Sequence, residues 1–405
     1  MTTPKLRFKE FGGEWEDKTI SEIASYRRGS FPQPYGLPEW LDENGFPFVQ
    51  VYDVADNMLL KDKTKIKISQ LAANQSVLAK AGTLIITLQG SIGRVAKMQY
   101  DAYVDRTLLI FQSYAMPIDT DYFKYALYLL FNIEKEKADG GIIKTITKET
   151  LSKFNIGIPC LEEQTKIASF LSAVDEKISQ LTQKHELLSQ YKQGMMQKLF
   201  SQQLRFKADD GSEFGEWEEK KLSEICLKIK DGTHFSPKTF EVGEYKYLTS
   251  KNVKNGYLDF SNLEFVSADD HKKIYSSCDV KFGDVLLTKD GTIGQCCVNT
   301  LTEEFSLLSS VAFLRLKSEF NNYFLYHILL SDLGQKEING VIAGQALKRI
   351  TLTKINDFKF MFPCLEEQTK IANFLSAIDQ TIEVVAQQIE QAKQWKKGLL
   401  QQMFV

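Results

Sequence analysis

Apolar residues recur at heptad spacing through two stretches of the chain. The first seams are Ile167, Val174, Leu181, Leu188 and Met195 in one stretch and Ile371, Ile378, Val385, Ala392 and Leu399 in the other. The companion seams are Leu171, Ile178, His185, Lys192 and Leu199, and Leu375, Ile382, Ile389, Lys396 and Met403. A period of 3.5 residues held over this span is typical of a coiled coil, so the pattern predicts two long helices.

Helix-end signals bound the two stretches. Pro159 and Pro363 close the preceding strands, and the acidic pairs that follow favour a helix N-terminus because the helix dipole attracts them. From Glu162 to Phe200 the first helix would extend about 58 Å at ~1.5 Å per residue. We expect the two helices to pack antiparallel with one globular domain at each end; the alternative is that each helix packs on its own domain.

A different pattern fills the regions between these helices. GTLIITLQGSIGRVA (Gly82–Ala96) and GDVLLTKDGTIGQCCV (Gly283–Val298) both alternate β-branched runs with glycines. Each predicts a strand, a glycine turn and a second strand. Gly90 and Gly291 occupy the turns, where a positive φ or a close backbone approach favours glycine.

The patterns recur because the chain is a tandem duplication. PCLEEQTKIASFLSA (Pro159–Ala173) returns as PCLEEQTKIANFLSA (Pro363–Ala377), with one difference. LRFK near the N-terminus returns at Leu204–Lys207, and KTITKETLSKFNIGIP (Lys144–Pro159) parallels KRITLTKINDFKFMFP (Lys348–Pro363). Self-similarity of this length indicates one structural unit used twice.

The predicted fold is therefore a mixed α/β tandem duplication, with two globular α/β domains separated by two long antiparallel coiled-coil helices. We expect these boundaries: a first domain over 1–158, a central repeated helix over 159–203, a second domain over 204–362 and a C-terminal repeated helix over 363–405.

Composition narrows the class of protein. The chain has 405 residues and six cysteines, without a C-x-x-C pair, so neither a zinc site nor a disulfide framework is indicated. No apolar run approaches the ~18 residues of a membrane span, which predicts a soluble, cytoplasmic protein. The formal net charge of −2 is unusual for a nucleic-acid binder, so any DNA contact would need basic residues concentrated on one face.

Catalytic signatures are missing from the sequence. Gln33-Pro34-Tyr35 lacks the side chain and the second proline of the N/D-P-P-Y/F motif of adenine methyltransferases, and no glycine-rich methyl-donor loop or G-x-x-x-x-G-K-S/T nucleotide loop occurs. Acidic and basic pairs such as Glu134 and Lys137 are typical of a solvated helix face. The chain is predicted to have no catalytic residues, no metal site and no cofactor of its own.

The motif order LRF-x-x-F-x-x-x-W, G-T-I-G hairpin, I-T pair and P-C-L-E-E-Q-x-K-I-A-x-F-L, all repeated, resembles specificity subunits of type I restriction-modification enzymes. The resemblance implies that each domain is a target-recognition domain reading one half of a bipartite, asymmetric site in double-stranded DNA. It implies that the helices set the spacer and that two methyltransferase subunits, joined by two restriction-translocase subunits in the restriction form, are the partners. S-adenosylmethionine would bind the methyltransferases, and ATP and magnesium the restriction subunits.

Candidate DNA-contacting residues follow from side-chain type and loop position, because these side chains can reach guanine, adenine or phosphate. In the first domain they are Arg27, Arg28, Gln89, Ser91, Arg94 and Lys144. In the second domain they are Lys230, Thr233, His234, Lys238, Lys289, Thr292, Lys348 and Arg349. Ordinary exposed polar side chains are the competing interpretation for each residue.

Two features leave an alternative open. Lys61, Lys63, Lys65 and Lys67 would line one face of a strand, where they would contact a DNA backbone or protect an exposed sheet edge. For the whole chain, the alternative function is a scaffold that binds proteins rather than DNA. Divergent loops on a shared frame favour DNA recognition, since scaffolding gives no reason for the two domains to differ.

Overall fold

The computed structural model describes residues 4–89, 92–137, 148–343 and 348–404. The chain divides into two compact units. The first unit contains the residues up to Thr182 together with those from Gln387 onward, and the second contains Gln183–Ala386. Each unit therefore combines one α/β region with parts of both long helices. The three domain and helix boundaries that we expect from the sequence, at 158, 203 and 362, are not the boundaries of these units and stay predictions.

The first unit follows a mixed order of strands and helices. Its elements are β1 (Glu16–Thr19), α1 (Ile20–Ile23), β2 (Ala24–Arg28), β3 (Leu41–Val49), β4 (Ile66–Ile68), α2 (Gln70–Ala73), β5 (Val77–Ala79), β6 (Leu84–Thr87), β7 (Val95–Lys97), β8 (Ala102–Val104), β9 (Leu108–Tyr114), α3 (Thr120–Lys137), α4 (Lys148–Ser152), β10 (Asn155–Ile158) and the first part of α5 (Leu161–Phe200). Two 3-10 turns cover Pro38–Trp40 and Val51–Asp53.

The second unit repeats much of this order. Its elements are the last part of α5, β11 (Glu218–Lys221), α6 (Leu222–Ile225), β12 (Cys226–Asp231), β13 (Tyr245–Leu248), β14 (Val253–Lys254), β15 (Tyr257–Leu258), β16 (Glu264–Val266), α7 (Ala268–Ser277), β17 (Val285–Thr288), β18 (Cys296–Val298), β19 (Ser306–Leu307), β20 (Val311–Leu316), α8 (Asn322–Leu330), α9 (Asp332–Ile342), α10 (Leu352–Asp357), β21 (Lys359–Phe362) and the first part of α11 (Leu365–Phe404), whose residues from Gln387 onward belong to the first unit.

Equivalent sheets form in the two units. The antiparallel sheet β2-β9-β6-β7 of the first corresponds to β12-β20-β17-β18 of the second. A mixed sheet lies beside each, β4-β3-β8-β5 in the first and β16-β13-β19 in the second, with a parallel pair at β3·β8 and at β13·β19. The glycine hairpins include the antiparallel pairs β6·β7 and β17·β18, which confirms the predicted strands of both and the turn of the second, while Gly90 and Ser91 lie outside the described residues.

Both long helices form over forty residues each. Every predicted heptad position is buried or half-buried. In the first unit Lys396 pairs with Asp175, and two turns along α5 Leu181 shares a groove with Gln388, so the helices run antiparallel there. The predicted mixed α/β duplication with antiparallel long helices is confirmed.

The repeated LRF segment is explained by an ion pair at the start of each long helix. Arg7 donates to both carboxylate oxygens of Glu163 at 2.7 Å, and Arg205 makes the same contact with Glu367 at 3.1 and 2.7 Å. Both glutamates are 0% exposed. We expected these acidic residues to act through the helix dipole; in addition, one of each pair anchors the preceding segment on the helix.

The lysine run of the first unit does not form one strand. Only Lys67 lies within a strand, β4, which is an edge of its sheet, while Lys61, Lys63 and Lys65 precede it. The expectation that all four line one strand face is therefore wrong. Within the described ranges, none of the helices has the length and apolar content that a membrane span requires.

Candidate nucleic-acid interface

Four loops of the first unit are joined by four backbone hydrogen bonds. The bonds run from Gly29 N to Leu108 O, Ser30 N to Val104 O, Asp105 N to Val49 O and Leu88 N to Thr107 O, at 2.9–3.0 Å. We call this set of loops, residues 28–35, 49–53, 88–89 and 104–108, the first loop cluster. Gly29 is required because a Cβ at this position would lie 2.1 Å from Val104 O.

The second unit contains the same arrangement. Its bonds run from Gly232 N to Val311 O (3.4 Å), Thr233 N to Leu307 O (2.7 Å), Leu308 N to Leu248 O (2.9 Å) and Lys289 N to Ser310 O (2.9 Å). The second loop cluster comprises residues 231–238, 248–252, 289–292 and 307–311. Gly232 repeats the constraint on Gly29, since a Cβ there would lie 1.9 Å from Leu307 O. The two clusters therefore share one backbone frame.

The glycine turn of the second cluster has the geometry that the sequence predicted. Gly291 has a φ of +73° and Gly294 a φ of +87°, values that favour glycine because it has no Cβ. Thr288 Oγ1 accepts from Gln295 N at 2.9 Å and fixes the turn, as Thr87 Oγ1 does from Arg94 N at 3.0 Å in the first unit. Gly90 lies outside the described residues.

Lys289 is not an exposed lysine as expected. It is 2% exposed, and its Nζ lies 2.9 Å from Asp231 Oδ2. The first unit has Leu88, 1% exposed, in the equivalent position. A lysine is stable at this depth only with a partner, which Asp231 supplies. The ion pair connects two loops of the second cluster, so Lys289 supports the surface rather than forming it.

Thr233 is also buried, with 8% exposure. Its Oγ1 accepts from Phe235 N at 3.3 Å, and its backbone joins the loops, so the expected base contact is corrected to a structural role. The neighbouring His234 is exposed, with 65% of its side chain accessible, and its Nε2 lies 3.3 Å from Asp231 Oδ1. Of this pair, His234 is the residue positioned to contact a ligand.

The remaining predicted residues of the second unit are exposed. They are Lys230, Lys238, Thr292, Lys348 and Arg349. Lys238 lies 5.4 Å from the Phe240 ring, and Arg349 Nε lies 3.8 Å from Asp290 Oδ2. Ile350 N donates to Lys289 O at 2.9 Å, which places the Lys348–Arg349 segment beside the second loop cluster.

In the first unit, Arg27, Arg28 and Gln89 are exposed as predicted. Arg94 is half-buried, donates to Val54 O at 3.0 Å and pairs with Asp56 at 2.8 Å. Its guanidinium is thus partnered within the unit while one third of the side chain stays exposed, and its contact with DNA stays a prediction. Ser91 and Lys144 lie outside the described residues.

Sequence reasoning missed several residues of the first loop cluster. An open depression of about 400 Å³ lies there, lined by Tyr35, Gln50, Val51, Tyr52, Gln89, Asp105, Arg106 and Thr107. The Arg106 guanidinium lies 4.7 Å from the Tyr35 ring centroid. Loop position was the signal that could have indicated Arg106, because this residue follows β8 just as the predicted Gln89 follows β6.

A buried carboxylate supports this depression. Asp105 is 2% exposed; its Oδ2 accepts from the Tyr35 hydroxyl, and its Oδ1 accepts from Thr107 N and Oγ1 at 2.9 and 2.6 Å. Burial, followed by the hydrogen bond to Asp105, raises the pKa of Tyr35 well above its usual value. Tyr35 therefore stays a neutral hydrogen-bond donor, and the loop is held in one conformation.

The described residues contain no cluster of three or more His, Cys, Asp or Glu side chains able to hold a metal ion. Cys226, Cys278, Cys296 and Cys297 are buried. Burial raises the pKa of the Cys226, Cys278 and Cys297 thiols to about 12, so these side chains are protonated and act as small apolar groups.

The family model described as "Type I restriction modification DNA specificity domain" matches residues 12–190 and 215–394. The two matches cover most of the chain and follow the duplication. Each match includes one loop cluster and the beginning of one long helix.

Relatives and solved structures of similar extent also match. The MjaVIII specificity subunit of a type I restriction enzyme from Methanocaldococcus jannaschii is 27% identical over 97% of this chain and 94% of its own length. The crystal structure of a type I restriction-modification S subunit from M. genitalium has a TM-score of 0.63 at 17% identity, covering 100% of this chain and 99% of that one.

A second solved chain, from a study of complex assembly and conformational transition of the type I restriction-modification system, has a TM-score of 0.58 at 15% identity and covers 97% of this chain and 98% of that one. At these identities the structures show a shared fold. Together with the tandem family match, they establish that the chain belongs to the type I restriction-modification DNA specificity family and is a non-catalytic DNA-recognition subunit.

Proposed function

We propose that this chain recognises a bipartite, asymmetric site in double-stranded DNA and positions two methyltransferase subunits on it. The observation that carries the proposal is the pair of loop clusters, which share a backbone frame and differ in side chains. A duplicated frame allows two equivalent approaches to DNA. Different exposed groups, Gln89 and Arg106 in one and His234 and Lys251 in the other, require two different base sequences.

Exposed basic side chains supply the phosphate contacts that orient each cluster on the duplex. Arg27 and Arg28 lie beside and within the first cluster, and Lys230, Lys238, Lys348 and Arg349 lie beside or within the second. The net charge of −2 keeps sequence-independent attraction small. We therefore expect tight DNA binding to depend on the complete complex rather than on this chain alone.

The partners supply the chemistry. Two methyltransferase subunits would bind the repeated surfaces and carry S-adenosylmethionine, and two restriction-translocase subunits would add ATP- and magnesium-dependent functions. The shared fold with a chain solved in a study of complex assembly of the type I restriction-modification system supports this arrangement, as does the duplication of the long helix.

Reconstitution tests the proposal. The purified chain with S-adenosylmethionine should leave a DNA library unmethylated, and adding the methyltransferase subunits encoded with it should produce methylated adenine at one bipartite motif. The complex should contain two methyltransferase subunits for each chain. Methylation by the isolated chain, or an active complex with one methyltransferase copy, would contradict the proposal.

A further inference from the structure

The first loop cluster presents a set of side chains whose chemistry selects particular bases. Arg106 is exposed and, among the described residues, forms no ion pair. This distinguishes it from Arg94, which is held by Asp56. A guanidinium that is charged, accessible and without a carboxylate partner can donate two hydrogen bonds to a guanine edge.

The Arg106 side chain is also preorganised. Its guanidinium lies 4.7 Å from the centroid of the Tyr35 ring, and the Tyr35 hydroxyl is held by the buried Asp105 carboxylate. Residues on both sides of Arg106 are anchored, since Asp105 N donates to Val49 O and Leu88 N donates to Thr107 O. Holding a planar donor in place before binding reduces the conformational entropy lost on contact.

Two glutamines border the same depression. Gln50 accepts through Oε1 from the Tyr52 hydroxyl, which orients the amide, and Gln89 is exposed at the end of β6. A glutamine amide can accept from the N6 amino group of adenine while donating to N7. Because the Gln50 acceptor is already engaged by Tyr52, the depression presents one exposed side chain suited to guanine, Arg106, and one suited to adenine, Gln89.

The second cluster has none of these groups in the equivalent positions, all of which lie in the described ranges. The matched backbone bonds align Gln50 with Thr249, Gln89 with Asp290 and Arg106 with Ser309. An aspartate accepts from the amino group of cytosine, and threonine and serine hydroxyls make weaker contacts to any base. The contrast is confined to side chains, because the backbone frame is shared.

We infer that Arg106 reads a guanine, and Gln89 a neighbouring adenine, in the half-site bound by the first unit. The inference rests on the proposed function. It assigns the base specificity of that half-site to the depression centred on Arg106 rather than to Arg94.

Genome-wide or library mapping of methylated adenine, using the complete complex of this chain with its methyltransferase subunits, tests the inference. Arg106→Ala should relax the preference for guanine at one position of one half-site by about ten- to a hundredfold, since a good bidentate contact contributes ~1–3 kcal/mol. Arg106→Lys should retain part of the preference, because lysine can also bind guanine. Gln89→Ala should relax the preference for adenine at a neighbouring position of the same half-site.

Lys251→Ala is the matched control, because Lys251 occupies in the second cluster the position of Tyr52 in the first. It should leave the Arg106-dependent half-site unchanged. An unchanged guanine preference in Arg106→Ala, or uniform weakening at all positions of both half-sites, would overturn the inference. A wild-type complex that methylates no bipartite motif would instead contradict the proposed function.

Discussion

Lys289 and Asp231 occupy positions in the second unit that Leu88 and Arg28 occupy in the first. The lysine side chain is 2% exposed and the aspartate side chain 10%. Charges this deep are tolerated because each neutralises the other, and removing one leaves the other uncompensated. The two units therefore hold the same loops with different chemistry, an ion pair in one and apolar packing in the other.

Lys289→Leu should lower the free energy of unfolding of the second unit by about 3 kcal/mol, because it leaves Asp231 buried without a counter-charge. The double variant Lys289→Leu/Asp231→Arg recreates the residues of the first unit. Its loss of unfolding free energy should be less than half of that of Lys289→Leu. Urea denaturation of the single and double variants measures both values. Equal losses would show that the ion pair is not what makes the single substitution costly.

His327 is a buried histidine whose protonation opposes folding. It is 0% exposed, its Nε2 lies 3.1 Å from Ser376 Oγ, and burial, followed by the charge of Lys192, lowers its pKa from 6.5 to about 3. The folded state thus keeps His327 neutral while the unfolded chain takes up a proton below pH 6.5. Its contribution to stability is present above pH 6.5 and is lost as the pH falls toward 3.

Between pH 7 and pH 5 this group should cost the wild-type chain about 2 kcal/mol of unfolding free energy. His327→Gln removes the titrating group and retains an amide that can contact Ser376. The variant should therefore lose about 2 kcal/mol less over this pH range, measured by urea denaturation at each pH. Parallel losses in the two proteins would mean that His327 does not titrate as described.

The residue scale is also where the sequence was least informative. Thr233 and Lys289 belong to polar motifs that are typical of exposed loops, and nothing in their neighbours along the chain reveals the partner that buries them. Asp231 is 58 positions from Lys289 in the sequence. Arg106 was missed because Tyr35, whose ring its guanidinium faces, is 71 positions away in the sequence, so loop position was the one local signal.

At the scale of elements, the sequence was much more informative. Heptad periodicity indicated both long helices, the helix-end signals after Pro159 and Pro363 located their starts, and the strands of both glycine hairpins formed as expected. These features depend on repeating, local sequence patterns, so they can be predicted from one sequence. The prediction for the lysine run was wrong because alternating lysines over Lys61–Lys67 are also the pattern of a strand. Most of these residues precede the short β4.

The N-terminal turn of α11 provides a test at this scale. Glu367 is 0% exposed and accepts from Arg205 and from Trp217 Nε1, the latter at 3.1 Å. Glu367→Gln should lower the free energy of unfolding by about 3 kcal/mol, because Arg205 loses its charge partner. The preceding Glu366 is exposed, so Glu366→Gln should change it by less than about 0.5 kcal/mol. Similar effects of both substitutions would argue against the anchoring role of the ion pair.

At the scale of the whole molecule, the duplication is the feature from which function follows. A family of DNA specificity proteins matches both halves of the sequence, and each compact unit contains one loop cluster and portions of both long helices. Under the proposed function, the long helices set the spacer between the half-sites. Their regular heptads make that length adjustable in whole repeats.

Inserting one heptad after Leu181 and one after Val385, its equivalent in α11, should lengthen both helices by ~10 Å and keep their seams in register. The spacer should grow by about three base pairs at ~3.4 Å each while both half-sites stay unchanged. Two-residue insertions at the same positions are the control, because they rotate the apolar seam and should destabilise the protein. An active heptad variant with the original spacer would show that these helices do not set the distance between half-sites.

Recognition of two different half-sites by one chain is tested most directly in the source cells. The measurement is long-read mapping of methylated adenine with and without the gene for this chain. We predict that deletion removes methylation from one bipartite, asymmetric motif and that restoring the gene restores it. Loss of methylation from a continuous or palindromic motif, or no change in any motif, would contradict the proposed recognition.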